Sequence, residues 1–359
     1  MRWPRFATIP EGTEILAYAL QSANFSADRQ EMLWVWSRAL THASAERFSW
    51  IYERNPAGPV SSWVVRDSSR QVAGAASVFP RELQMGNTRV RAGIAGDLAV
   101  RRDHRVLGPA VMLQRATLDA CDSGRFDIVY GFPNANAEAV ERRAGYRVLG
   151  PVSRMRRHLR CKAALSRRMA APLAAMIGPC LDLTARTLGG EDRVGRKYSF
   201  RLEAKFDERV DRLWTRLCGT LPITGVRGAE YLNWRFVSCP HKPYRVMAMY
   251  GERGDELLGY AVYYVRERES VLCDLLAVNF GRELDALIAG FLRHQHELPV
   301  DSVCCRYFGT RRLTKALRRF GFRERREGSV LFHIPSASPL AQADLAQENW
   351  YLLDGDADL

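Results

Sequence analysis

Apolar positions in this chain switch between a helical and a strand spacing, and the same series of switches occurs twice. LWVWSRAL (Leu33–Leu40) has a helical pattern, VAGAASVF (Val72–Phe79) reads as a strand, and Asp97-Leu98-Ala99-Val100 has the apolar character of a buried strand. Val111, Leu113, Ala116, Leu118 and Ala120 then supply the apolar positions of a helix that continues to about Cys121. Further on, Gly145 suits a helix C-terminus because glycine takes a left-handed conformation without strain.

The second series runs through VDRLWTRLC (Val210–Cys218), LLGYAVYYV (Leu257–Val265) and Asp274–Val278 to Gly321-Phe322. FSWIYERNPAG (Phe48–Gly58) is echoed by LNWRFVSCPHK (Leu232–Lys242), with Trp50, Tyr52 and Pro56 answered by Trp234, Phe236 and Pro240. Elements repeated in one order over nearly the whole length predict a tandem duplication of one α+β fold. Each copy is expected to hold a mixed, mostly antiparallel sheet flanked by helices. The expected divisions are residues 1–160, a helical linker at 161–195, a second unit at 196–335 and an acidic tail at 336–359.

Between the strand ending at Val100 and the following helix stands Arg105-Val106-Leu107-Gly108-Pro109-Ala110. Free amides at a helix start attract anions, and Gly108 and Ala110 leave the backbone open to a diphosphate. Pro109 sacrifices only an amide that would lack a helical partner. This passage resembles the acyl-CoA-binding motif of the GNAT acetyltransferases, Arg/Gln-x-x-Gly-x-Gly/Ala, met here as Arg105, Gly108 and Ala110. Phe126–Gly150 is similar to the strand and helix that follow the motif in that family. After Val278 the second copy reads Asn279-Phe280-Gly281-Arg282, without the motif, so a diphosphate site is expected only in the first copy.

The resemblance implies an N-acyltransferase using acetyl-CoA or a close relative. Leu98, Ala99 and Val100 would pair with the pantetheine arm, Arg105 to Ala110 would take the diphosphate, and Asn134 and Asn136 would contact the cofactor. Asparagine at a helix start is equally suited to capping. Many family members place a tyrosine general acid four residues before the glycine that ends this helix. Glu141 stands there instead, which leaves Tyr130 or Tyr146 as substitutes, or an unassisted thiolate. Asp97 is the candidate base; His104, on the turn, is expected nearer the phosphates than the thioester, and His42 and Glu46 could reach an acceptor pocket. Tyr52, Arg54 and Asn55 are candidate acceptor contacts, while Trp50 reads as core.

Composition narrows the partners. The 47% hydrophobic and 26% charged residues suit a globular protein, and no apolar run is long enough to span a bilayer. The N-terminus lacks the apolar core of a signal peptide, so a cytoplasmic protein is expected. The eight cysteines show no metal-ligand spacing, and no metal is expected; Cys304 and Cys305 would face opposite sides of a strand. The net charge of +13 is concentrated, with ten basic residues between Arg142 and Arg168. Such a patch suits CoA phosphates, a nucleotide-activated sugar, the anionic inner membrane leaflet or plain solvent. No nucleic-acid-binding motif accompanies it. A looser resemblance, in W-x-Y-x-x-x-P and Gly131–Asn134, is to acetyltransferases of bacterial surface-polysaccharide synthesis, which implies an amino-sugar acceptor. A scaffold protein in envelope assembly and an aminoacyl transferase of the peptidoglycan type are the alternatives.

Overall fold

The computed structural model describes residues 18–41, 43–105, 107–160, 197–252, 254–338 and 340–358. The expected linker at 161–195 lies outside the described residues, as do His42 and Val106. The first half contains β1 (Ala19–Ser22), α1 (Phe25–Ser37), α2 (Ala45–Phe48) continuing into a π-helical turn (Ser49–Glu53), β2 (Ser61–Arg66), β3 (Val72–Met85) and β4 (Thr88–Val100). It closes with α3 (Leu107–Asp122), β5 (Ile128–Gly131), α4 (Ala135–Ala144) and β6 (Arg147–His158). The second half contains β7 (Ser199–Glu203), α5 (Glu208–Leu217), β8 (Ile223–Gly225), α6 (Ala229–Leu232) with its own π-helical turn (Asn233–Val237), β9 (Arg245–Tyr250), β10 (Leu257–Arg266) and β11 (Glu269–Ala277). α7 (Arg282–Glu297), β12 (Ser302–Gly309), α8 (Arg311–Arg319), β13 (Arg323–His333) and β14 (Trp350–Leu353) complete it.

Period-2 burial gives each half two apolar sheet faces. In the first half Val90, Ala92 and Ile94 of β4 pack with α1 and the Trp50 turn, whereas Ala95 and Val100 pack with α3. α5 buries Val210, Leu213, Trp214 and Leu217, the spacing of one helical face. Cys304 and Cys305 do join cores on opposite faces.

All the main strands form one sheet in the order β1-β2-β3-β4-β5-β13-β6-β12-β11-β10-β9-β7. One strand of each half, β6 and β13, pairs across to the other. β13 pairs with β5 through Leu331↔Gly131, and β6 pairs with β12 through Cys305↔Met155. At the seam the repeated motif meets itself. Trp50 and Trp234 stack with centroids 5.1 Å apart, and each indole N–H donates to the other's carbonyl, at 2.7 and 3.0 Å. The recurrence of this tryptophan therefore marks the contact between halves.

Part of the expected acidic tail is packed into the core, where Trp350 to Leu353 and Asp356 are buried. β14 pairs with β12 and β8, and β8 pairs with β3. Asp356 accepts from Arg81 at 3.0 Å and from Arg227 at 2.6 Å, and all three side chains are buried. β14 also occupies the space where β11 and β12 diverge beyond Leu272↔Cys305, and the Tyr351 phenol there donates to the Leu275 carbonyl. Gly309 permits this approach. Its φ is +146°, and a Cβ would stand 2.0 Å from the Trp350 carbonyl oxygen. Gly309→Ala should destabilise the chain by at least about 2 kcal/mol, combining backbone strain with displacement of β14. Urea unfolding checks this, and an unchanged midpoint would contradict it.

Candidate functional site

β4 and β5 pair in parallel only at Ala92↔Ile128, Gly93↔Val129 and Ile94↔Tyr130. Beyond them the strands separate, so the β5-facing edge of Gly96 to Val100 is an open ladder edge, while Ala99 and Val100 pair with β3 on the other side. The bulge that turns β4 here falls at Asp97, whose φ is +50°. An aspartate tolerates that conformation better than a branched residue would.

One carboxyl stands at each lip of this opening. Glu141, on α4, is 4% exposed, and its Oε2 lies 3.8 Å from where a Cβ on Gly131 would sit. That oxygen is buried without a hydrogen-bond partner. Burial, with Asp358 and Glu138 adding to it, pushes the Glu141 carboxyl up to about 8. Asp358 lies across the sheet, its Oδ2 2.9 Å from the corresponding position on Gly96. Burial and the neighbouring Asp97 charge raise it to about 6, against the pull of Arg47, Arg306 and Arg235. Two carboxyls with environments that separate their proton affinities are suited to opposite acid and base tasks.

Asp97 is held differently from what a free base requires. Arg47 donates to both its oxygens, at 2.7 and 2.9 Å, and the Tyr52 hydroxyl donates to Oδ2 at 2.7 Å. The Trp36 indole binds its carbonyl. Fixed as a buried anion, Asp97 acts on its surroundings through its charge. Tyr52, expected at the acceptor, is buried for the same reason and also bonds Ser77. Neither expected tyrosine acid reaches the opening. Tyr130 is fully buried and bonds the Asp356 carbonyl, while Tyr146 bonds Thr117 in the core beside α3.

The remaining expected residues divide. Leu98, Ala99 and Val100 line the open edge, and α3 begins at Leu107 with Gly108 exposed, Pro109 buried and Ala110 half-buried. Nothing lies within 4 Å of where a Gly108 Cβ would be, so the start of this helix can be approached closely. Arg105 is exposed, and its Nε donates to the Val100 carbonyl at 3.1 Å. Asn134 caps α4, accepting from the amides of Asn136 and Ala137, and Asn136 is exposed. Arg54 and Glu46 are exposed, and His104 bonds Tyr18. Asn55 bonds the Pro80 carbonyl and borders a small cavity with Trp50, Trp234 and Asp358. A larger cavity of about 530 Å³ lies at Arg91 and Ala92, before the strands diverge, and has none of these carboxyls in its wall.

Asp358 also borders a second cavity of about 270 Å³, lined by Arg154, Lys242, Tyr244, Tyr264, Arg306 and Asp354 among others. Sequence reasoning missed Asp358, because nothing local ties residue 358 to residue 96. It reached Glu141 only as a departure from a pattern. Part of the basic run is used internally, with Arg154 and Arg156 both paired to Glu269.

Residues 22–149 match the family model of the acetyltransferase (GNAT) domain. No curated protein matches the sequence significantly. Its fold is similar to that of a conserved Enterococcus faecalis V583 protein of unknown function, called a probable N-acyltransferase. That likeness has TM-score 0.65 and 14% identity, covering 89% of this chain and 73% of the other. A GCN5-related N-acetyltransferase from Anabaena variabilis gives TM-score 0.63 at 13% identity, with 89% and 73% covered. One from Kribbella flavida gives 0.56 at 14%, with 88% and 71% covered. Among the described residues no helix is long and apolar enough to cross a membrane, and no cluster of potential metal ligands is present.

Proposed function

We propose, from the GNAT acetyltransferase domain at residues 22–149, that this chain moves a short acyl group from acyl-CoA to a primary amine. The observation that carries this reading is the pair of carboxyls, Glu141 and Asp358, at opposite lips of the β4–β5 opening. When bound, acyl-CoA supplies the thioester. Asp358 takes one proton of the ammonium acceptor, the amine nitrogen bonds to the acyl carbon as the carbon–sulfur bond breaks, Glu141 gives its proton to the sulfur, and the surplus proton on the new amide nitrogen returns to the Glu141 carboxylate. Asp97 is a positioning residue whose fixed charge keeps Asp358 near neutrality. Arg105 and the α3 amides around Gly108 hold the diphosphate, and the open edge from Leu98 to Val100 pairs with the pantetheine.

The doubled element order fits tandem GNAT units, of which the second has its opening filled by β14. The acceptor class we carry is an amino sugar of a surface polysaccharide or its precursor. Its support is the cavity beside Asp358, where Tyr244 and Tyr264 offer rings to a sugar, rather than the buried Tyr52.

Calorimetric titration with acetyl-CoA tests the reading. Micromolar binding is expected for the native chain, and its absence would favour a scaffold role. Arg105→Glu should raise the dissociation constant at least tenfold, about 1.4 kcal/mol. Its melting temperature should hold, because Arg105 is exposed. Unchanged affinity would remove the diphosphate from this turn.

A further inference from the structure

The cavity beside Asp358 has a chemical asymmetry that acyl transfer alone does not require. At about 270 Å³ it lies near the lower end of ligand pockets, which span roughly 300–1,000 Å³, so it suits an occupant of monosaccharide size. One wall is rigid and aromatic. Tyr244 packs edge-on against Phe236 and Tyr264, with centroids 5.1 and 5.5 Å apart. Lys242 stands over that wall, its ammonium 5.4 Å from the Tyr264 ring centroid.

The Lys242 ammonium makes no hydrogen bond or salt bridge among the described residues, although the side chain is partly buried. Desolvation, with the Arg235 charge nearby, lowers its proton affinity, the response of a cation short of a counter-ion. Arg306 faces the same space and is loosely paired, 3.5 Å from Asp354 and 3.9 Å from Glu327, with its Nε lacking a hydrogen-bond acceptor. Asp358 borders this space as well. One small volume thus joins under-partnered cations to a carboxyl that has no salt bridge among the described residues.

We infer that the acceptor carries an anionic group, a phosphate or a carboxylate, in addition to its amine. Lys242 and Arg306 hold that group, and the amine is turned toward Asp358. This rests on the acyl-transfer reading and narrows its substrate class. A neutral amino sugar would leave Lys242 without a counter-ion. An anionic one restores a charge-assisted contact and fixes which end of the molecule reaches the thioester.

Binding is to be measured without acyl-CoA, so that the result stands apart from catalysis. The probes are glucosamine, glucosamine 6-phosphate and 2-amino-2-deoxyglucuronic acid. At least one anionic probe should bind ten times more tightly than glucosamine, and which one does so distinguishes phosphate from carboxylate. Lys242→Glu should erase the advantage and Lys242→Arg should keep most of it. If neither anionic probe outbinds glucosamine, or if the advantage survives Lys242→Glu, the inference is overturned. Retained anionic preference with no thiol release from acetyl-CoA would instead count against the acyl-transfer reading.

Discussion

Glu141→Gln should lower kcat by about 10²–10⁴-fold, the range typical of a positioned general acid. Glutamine keeps the size and polarity of the side chain but has no proton to give a departing thiolate. In the native chain burial raises Glu141 to about 8, so it is protonated at neutral pH. Asp358, raised to about 6, is then mostly ionised and can accept the ammonium proton. The kcat/KM profile should therefore be bell-shaped, with an acid limb near 6 and an alkaline limb near 8. Because the two carboxyls feel each other, these are apparent values of the pair. Glu141→Gln should lose the alkaline limb, and Asp358→Asn the acid one. The stability of Glu141→Gln should move the opposite way to its rate. A carboxyl raised on folding binds more protons in the native state, so its contribution is lost as pH climbs from about 4 to 8. Glutamine escapes that loss, and the variant should melt no lower than the native chain at pH 8. Full activity in Glu141→Gln, or an intact alkaline limb, would remove Glu141 from the reaction.

What the sequence revealed was local. The turn at Arg105 to Ala110 and the helix end at Gly145 follow from periodicity and glycine chemistry within a few residues, and the structure has α3 and α4 at those places. The tryptophan recurrence was also visible, but not its meaning. A repeated motif does not say where its two occurrences meet, and the stacking of Trp50 on Trp234 depends on how the two halves of the chain dock. The exchange of β6 and β13 was hidden for a similar reason. Both are arginine-rich strands, and nothing local selects β12 for one and β5 for the other. Asp97 was noticed for its position on β4, yet its role depends on Arg47, fifty residues earlier. The last acids were least legible. Asp354, Asp356 and Asp358 read only as part of an acidic tail, whereas their environment is set by arginines far away in the chain.

Asp356→Ala is the sharpest test of that last point, with an expected loss of about 3–5 kcal/mol, the usual cost of breaking a buried ion pair. Asp356 is 1% exposed and stands between two arginines that are equally hidden. Arg227 would still have Asp274, which it contacts at 3.1 Å, but Arg81 would keep the Val226 carbonyl and the Tyr231 ring and no carboxylate among the described residues. The Asp356 carboxylate also accepts from the Leu353 amide, so its removal loosens the end of β14. Burial alone would raise this carboxyl, but Arg227 and Arg81 outweigh it and hold it below the ordinary aspartate range. A carboxyl lowered on folding stabilises the native state above its unfolded value, near pH 4, and loses that contribution as pH falls through the folded one. The gap between native and variant stability should accordingly be widest near neutrality and shrink below about pH 4. Denaturant unfolding across pH measures it, and a difference under 1 kcal/mol at pH 7 would mean that the tail is not anchored there. Because Asp358 lies only two residues beyond Asp356, loosening the anchor should also weaken catalysis. The acid limb near 6 should then drop toward an ordinary carboxylate value as Asp358 regains water.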